Sequence, residues 1–441
     1  MSENPTKNQI ANAYKAARQR RRPTKAFYWP RHGFYTKNVF KEWQRTERGT
    51  LQKMMVKGGY VSGDDRNILS PASNAMLEIE QKQTVHYAGP IAGARAGMTQ
   101  SCGFRVLVTS SPTLPTAKKG EFPLWDEILS AHYGDALPYF LGWLSAAYER
   151  VRLGGGPMLP ALGLAGERDL GKSLSQNHLV TPLLGGRVAN PVRYFTGGTD
   201  FNEDLCGAEH LMIEDAERMN KEKRAMFGDM VKSHVANENA SLHPKGDKAV
   251  NVRCVWAISI STNTEPQNLN LLPLLDSSMA DKLMLLRVLA RPKCLPSPDD
   301  YQGFARFGTA LRKELPALLW HVLNYKLPKE CRGTRSLVRC HRDAHLMGLV
   351  MEDSPVSKLL WLVTEAEVVN GQPKELLSHE LESALRKAVP EEAARLFQHF
   401  SAGYLLREAA KSYPARVAHA GAAHGGLTRW KLSPELKEGQ P

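Results

Sequence analysis

Gly166-Glu167-Arg168-Asp169-Leu170-Gly171-Lys172-Ser173 is a glycine, four residues, then Gly-Lys-Ser, the pattern of a phosphate-cradling P-loop. Each fixed position has a physical reason. The glycines let the backbone curl so that its N–H groups face phosphate oxygens. Lys172 supplies a positive charge for the β- and γ-phosphates, and Ser173 a hydroxyl for Mg²⁺. A helix starting at this point presents the positive end of its dipole to the anion. Upstream, Leu159-Pro160-Ala161-Leu162-Gly163-Leu164-Ala165 reads as a buried strand, and Leu174 onward as a helix. The expected ligands are therefore ATP and Mg²⁺. Without the rest of the chain the octet would also suit a glycine-rich strand–helix turn with an incidental lysine.

Two further stretches extend the pattern. A nucleotide-hydrolysing site needs a carboxylate for Mg²⁺ and often a second to polarise water. His210-Leu211-Met212-Ile213-Glu214-Asp215 is an apolar run ending in two acids. Asp215 and Glu214 are the candidates for metal and water, and the sequence leaves the division of labour open. The same acids also suit the start of a surface helix. Val255-Trp256-Ala257-Ile258-Ser259-Ile260-Ser261-Thr262-Asn263 is a β-rich run ending in an amide. Asn263 is placed to sense the γ-phosphate or orient water, or simply to cap a buried strand. Thr264-Glu265-Pro266 predicts an abrupt strand end.

The order and compact span of GERDLGKS, HLMIED and ISISTN resemble superfamily 3 helicases, ring-forming AAA+-type motors of viral, phage and plasmid replication. Lys172 and Asn263 lie 91 positions apart. The likeness is strongest to the helicase module of phage and mobile-element primase-helicase proteins. It implies an ATP-dependent DNA helicase, a homo-hexamer with ATP between subunits, single-stranded or forked DNA as partner, and contact with replication proteins. That family carries a DNA-contacting β-hairpin between the acids and the sensor strand. Here Lys245-Gly246-Asp247-Lys248 reads as a basic hairpin tip, and the resemblance assigns Lys245 and Lys248 to the DNA backbone and His243 to a phosphate or base contact. It also implies a basic finger supplied in trans after the sensor segment. Lys282 and Arg287 are the candidates, with Arg291 further on.

The surroundings fit this fold class: α/β, a P-loop AAA+-type core with a parallel sheet. Residues 1–121 read as an α+β region with a strand at Phe104–Thr109. Residues 122–156 read as a helical collar and linker, with Leu129, Tyr133, Leu137, Phe140, Leu141 and Leu144 at helical steps and a break near Pro138. The core spans 157–295. Residues 296–441 are mostly helical, ending in a winged-helix-like unit. No primase active site is legible before the core.

Composition sets the outer bounds. The chain has 441 residues and a net charge of +13, a balance that favours polyanion partners. The run Arg18-Gln19-Arg20-Arg21-Arg22 is a candidate phosphate contact or a solvated face. The six cysteines form no CxxC pair, which argues against a zinc ribbon or a disulfide framework. No apolar run is long enough to span a membrane, and the N-terminus lacks an apolar signal core, so no membrane partner and a cytoplasmic location are expected. An ATP-switched replication initiator without processive unwinding is the alternative reading. A defence or packaging ATPase, or a small-acceptor phosphotransferase, follows behind.

Overall fold

The computed structural model describes residues 25–64, 68–214, 219–269, 271–273, 279–297, 299–352, 355–370, 372–423 and 426–434. The Arg18–Arg22 run and Asp215 lie outside them.

Two small sheets open the chain. β1 (Ala26–Trp29), β2 (Gly33–Lys37) and β3 (Trp43–Thr46) pair antiparallel in that order. The helices Arg48–Lys57 and Pro71–Lys82 cover one face of this sheet through Leu51, Met55, Met76 and Ile79. β4 (Tyr87–Gly89), β5 (Gly97–Ser101) and β6 (Phe104–Val108) form a mixed sheet with β6 in the middle. The strand expected at 104–109 is β6, one residue shorter.

The central sheet contains β7 (Ala161–Gly166), β8 (Val188–Ala189), β9 (His210–Glu214), β12 (Ala257–Asn263) and β13 (Leu283–Arg287). Its order is β13-β7-β12-β9-β8, and every pairing is parallel. Parallel strands buried on both faces read as continuous apolar runs, which is why HLMI and LMLL carry no polar alternation. Successive side chains still point to opposite faces. Ala161, Ala165, Leu283 and Leu285 enter a core shared with the two N-terminal sheets. Leu162, Leu164, Met284 and Leu286 enter a second core with the helices Pro123–Tyr133, Leu137–Leu153 and Tyr301–Asn324. The sheet is thus the middle of three layers.

The helical stretch at 122–153 folds as two helices joined by a 3₁₀ turn at Gly134–Ala136, with Pro138 in the first turn of the second. Proline fits there because a first-turn N–H has no intrahelical acceptor anyway. The first helix is fastened to Tyr301–Asn324: the Trp125 indole N–H donates to the Leu311 carbonyl at 3.0 Å, and Glu314 accepts from the Trp125 backbone N–H at 3.2 Å.

Between β9 and β12 the helix Lys221–Ala236 leads into β10 (Asn239–Leu242) and β11 (Val250–Arg253), an antiparallel hairpin. After the core, helices from Ala344 to Glu365 precede β14 (Lys374–Leu377), three helices between Ser378 and Ser412, then β15 (Val417–Ala422) and β16 (Thr428–Leu432). The last three strands form an antiparallel sheet, order β14-β16-β15, over its own apolar cluster. No helix among the described residues is long and apolar enough to cross a membrane.

Candidate nucleotide site

The three motifs meet at the carboxyl edge of the central sheet. In register, Asn263 lies opposite Gly166, and Ser261 lies opposite Glu214. The sensor strand β12 therefore sits between the strand that feeds the P-loop and the strand that ends in acid. Ligands of open parallel sheets bind beyond this edge of the strands.

The loop itself is shaped by backbone geometry. Gly171 has φ +95°, a left-handed conformation that glycine adopts without a Cβ penalty. A Cβ on Gly166 would meet the Val288 carbonyl oxygen at 2.7 Å, so β7 can lie this close to the segment after β13 only with glycine there. Asp169 also takes a positive φ, 61°.

Lys172 is buried, and its ammonium donates to Gly166 O at 3.0 Å, Glu167 O at 2.5 Å and Asn263 Oδ1 at 2.8 Å. These three acceptors are carbonyl oxygens, and the ammonium lies on the wall of the cleft. Ser173 is exposed at the start of the following helix. Glu214 ends β9 half-buried, and its Oε1 accepts from Asn177 Nδ2 at 3.3 Å, while the same amide donates to Ser173 O at 3.0 Å. Asn177 thereby ties the acid strand to the P-loop helix. The cleft above these groups encloses about 720 Å³, with Arg168, Lys172, Ser173, Asn263 and Arg291 on its walls.

Two further residues complete the site: Arg291, the third of the finger candidates in the sequence, and His132, which no motif announces. Arg291 enters the cleft wall, and its guanidinium donates to the Asp169 carbonyl at 2.7 Å and the Pro296 carbonyl at 2.5 Å. It braces the P-loop of its own chain. His132, from the helix Pro123–Tyr133, is fully buried beneath the loop. Its Nε2–H donates to Leu170 O at 2.8 Å, and its Nδ1 faces the Ser175 hydroxyl at 3.4 Å. Its backbone carbonyl also accepts from Leu289 N–H at 2.9 Å. One histidine thus holds the loop, the helix after it and the segment leading to Arg291. Burial, reinforced by the nearby Lys172 charge, pushes His132 down to about 4.

A second buried histidine lies deeper. His210 Nδ1 is 2.7 Å from Thr181 Oγ1, its Nε2 is 2.7 Å from Ser259 Oγ, and Gln176 Nε2 donates to Ser259 Oγ at 2.6 Å. This chain joins the P-loop helix to β9 and β12. Desolvation lowers His210 to about 3.

The pH consequence has a definite sign. Both folded values lie below the ordinary 6.5, so between 6.5 and the folded values the unfolded chain binds more protons. Stability is intact above about pH 6.5 and declines as pH falls, by on the order of 2 kcal/mol per histidine at pH 5. Thermal melts should therefore drop steeply between pH 7 and 5. A melting temperature flat over that window would refute the two neutral histidines.

The remaining sequence candidates are distributed. Glu167, Arg168 and Asp169 are exposed on the loop and Leu170 is half-buried. Lys282 lies at the opposite edge of the sheet, where its carbonyl accepts from Ala161 N–H at 2.8 Å and its ammonium pairs with Asp281 at 2.7 Å. Six residues of β7 separate it from its own P-loop, about 17 Å. Arg287 ends β13 beside Ala165, at the nucleotide edge. His243, Lys245 and Lys248 lie in the β10–β11 loop. Lys245 and Lys248 are exposed, while half-buried His243 packs on Phe201 with ring centroids 5.1 Å apart. Asn202 supports that loop by accepting from His243 N–H at 2.8 Å. No group of three or more metal-ligating side chains occurs among the described residues.

No protein-family model and no curated protein sequence matches the chain. Among solved structures it is similar to the A form apo structure of the NrS-1 C-terminal region, with TM-score 0.54 and 11% identity over 96% of this chain and 98% of that one. A second apo structure of the same region, residues 305–718, gives TM-score 0.54 and 12% identity over the same shares. The active helicase Cch of SCCmec type IV gives TM-score 0.28, too weak to bear on fold or activity. Over nearly its whole length, then, this chain shares the fold of the NrS-1 C-terminal region, and its own mixed α/β architecture around a five-stranded parallel sheet is compatible with a P-loop-like core.

Proposed function

We propose that the chain is an ATP-driven motor of the superfamily 3 helicase type, acting on DNA in replication of a phage or mobile element. The observation that carries this reading is the convergence of Lys172, Asn263 and Glu214 on adjacent parallel strands at one sheet edge. The donor set suits magnesium–ATP: a left-handed glycine, a buried ammonium, an exposed hydroxyl at a helix start and a carboxylate one strand away.

When bound, magnesium–ATP supplies the phosphoanhydride and a metal that neutralises charge on its oxygens. The protein does the rest by position. The loop N–H groups and the Lys172 ammonium bind phosphate. Ser173 and Asp215 hold the metal, and Glu214 with Asp215 orients and deprotonates water. Asn263 contacts both Lys172 and the space above it, which suits a group that reports the γ-phosphate. Subunits of a homo-hexamer place Lys282 or Arg287 across the boundary into the neighbour's cleft, where a cation stabilises charge developed during transfer.

The β10–β11 loop is the nucleic-acid contact in this reading. The C-terminal unit adds a second one. Its order of helix, strand, helices, strand, strand, with β15 and β16 as a hairpin, suits a winged-helix-like module, and Tyr404, Arg407 and Lys411 are exposed along the helix Ala402–Ser412.

Forked DNA with one labelled strand tests the proposal. ATP-dependent strand displacement that stops with a non-hydrolysable analogue is the expected result. ATP hydrolysis and origin-duplex binding with no displacement would overturn the motor in favour of an ATP-switched initiator.

A further inference from the structure

Two hairpin tips meet on the face of the molecule that carries the β10–β11 loop. The turn between β1 and β2, Pro30-Arg31-His32, docks against Lys245-Gly246-Asp247-Lys248. Arg31 Nη1 donates to the Gly246 carbonyl at 3.1 Å. His32 Nε2 pairs with the Asp247 carboxylate, and its ring stacks on Trp29 with centroids 3.7 Å apart.

Three features of this junction point outward. First, Asp247 is the sole acid in the loop 243–249, and His32 covers it. The surface left at the tip is cationic: Arg31, Lys245 and Lys248 are all exposed. Second, Arg31 has φ 69° in a turn closed by His32 N–H to Trp29 O at 3.0 Å. The third residue of such a turn is ordinarily glycine or asparagine. A long side chain held there is conformationally strained, the kind of strain that clusters at functional sites. Third, the Gly246 carbonyl fixes the Arg31 guanidinium on the tip that carries Lys245 and Lys248, so one tip draws its cationic residues from two distant segments.

We infer that the Arg31 turn and the β10–β11 tip form one composite grip on the phosphate backbone of single-stranded DNA, with Arg31 as a phosphate contact. This rests on the reading of the β10–β11 loop as the nucleic-acid contact. His32 acts as a positioning residue: it covers Asp247 and holds the two tips together. Each phosphate contact on a single strand steepens the salt dependence of binding by about 0.7 in log K against log salt.

The test uses the full chain and a fluorescein-labelled oligothymidylate, with anisotropy titrations across a range of salt. Arg31→Gly removes the charge and gives the turn the residue its φ favours, so its melting temperature should equal or exceed that of the wild type. Binding should weaken roughly five-fold near 100 mM salt, with a slope shallower by about 0.7. Arg31→Lys should keep most of the slope. The double variant Lys245→Ala/Lys248→Ala should flatten it by about 1.4. Wild-type affinity and slope in Arg31→Gly, alongside weakened binding in the double variant, would overturn the composite grip while leaving the loop reading standing. Weaker binding by Arg31→Gly with an unchanged slope and a lowered melting temperature would also overturn it. Wild-type binding by every variant would remove the loop reading and the grip together.

Discussion

Lys172→Ala is expected to lower ATP hydrolysis by at least two orders of magnitude, with or without DNA. The ammonium sits buried at the sheet edge, where a charge aimed at phosphate acts in a medium far less screening than water. Loss of one such preorganised donor costs about 3 kcal/mol of transition-state stabilisation, which is about a hundred-fold in rate. The variant also leaves Gly166 O, Glu167 O and Asn263 Oδ1 without the donor they share in the native loop. A thermal melt run beside the assay separates this effect from unfolding, because the strands and the His132 brace do not depend on the ammonium. Steady-state phosphate release at the wild-type rate would defeat the assignment of the loop as the catalytic cradle.

Glu214→Gln is expected to produce the next largest loss, about a hundred-fold in hydrolysis, with nucleotide binding retained. The substitution preserves shape and an acceptor oxygen, so the bond from Asn177 Nδ2 at 3.3 Å survives and the P-loop helix stays tied to β9. What disappears is the negative charge able to orient and deprotonate water. Equilibrium binding of a fluorescent ATP analogue, measured beside turnover, should show near-native affinity with little hydrolysis. Native turnover in Glu214→Gln and none in Asp215→Asn would transfer the water-polarising role to Asp215.

The parts of the site that were legible in the sequence are those whose chemistry is local. A P-loop is a contiguous octet because one strand-to-helix turn makes it. Asn263 is legible because a strand ends there, followed by Glu265-Pro266. The β10–β11 tip is legible because glycine and lysines cluster at a turn, although the loop is longer than a two-residue hairpin turn. Strand β13 is harder to read, since a buried parallel strand of four apolar residues is indistinguishable by pattern from a short core helix. Strand β8, Val188–Ala189, is too short for any pattern.

The bracing roles of His132 and Arg291 and the contact made by Arg31 escape sequence reading for a shared reason. Each acts through partners 38, 122 and 215 positions away, and nothing local marks a histidine in an amphipathic helix as a loop brace. Arg31 carries one faint signal, a Trp-Pro-Arg-His turn with no glycine or asparagine at its third position. The order β13-β7-β12-β9-β8 is likewise invisible before folding, yet it is what sets Asn263 between Lys172 and Glu214.

The hydrophobic cluster that joins β1, β2, β4 and β6 to β10 and β11 bears on how a stroke is generated. Phe27, Trp29, Tyr87, Val106, Leu242 and Val252 are all members of it. Closely packed interiors shift between discrete arrangements instead of bending smoothly. A hairpin rooted in such a cluster is the rim of a stiff plate, not a whip. In the proposed motor the hairpin would therefore move with the N-terminal layer and the central-sheet face that share this cluster, and lengthening the 243–249 loop would add slack without adding reach.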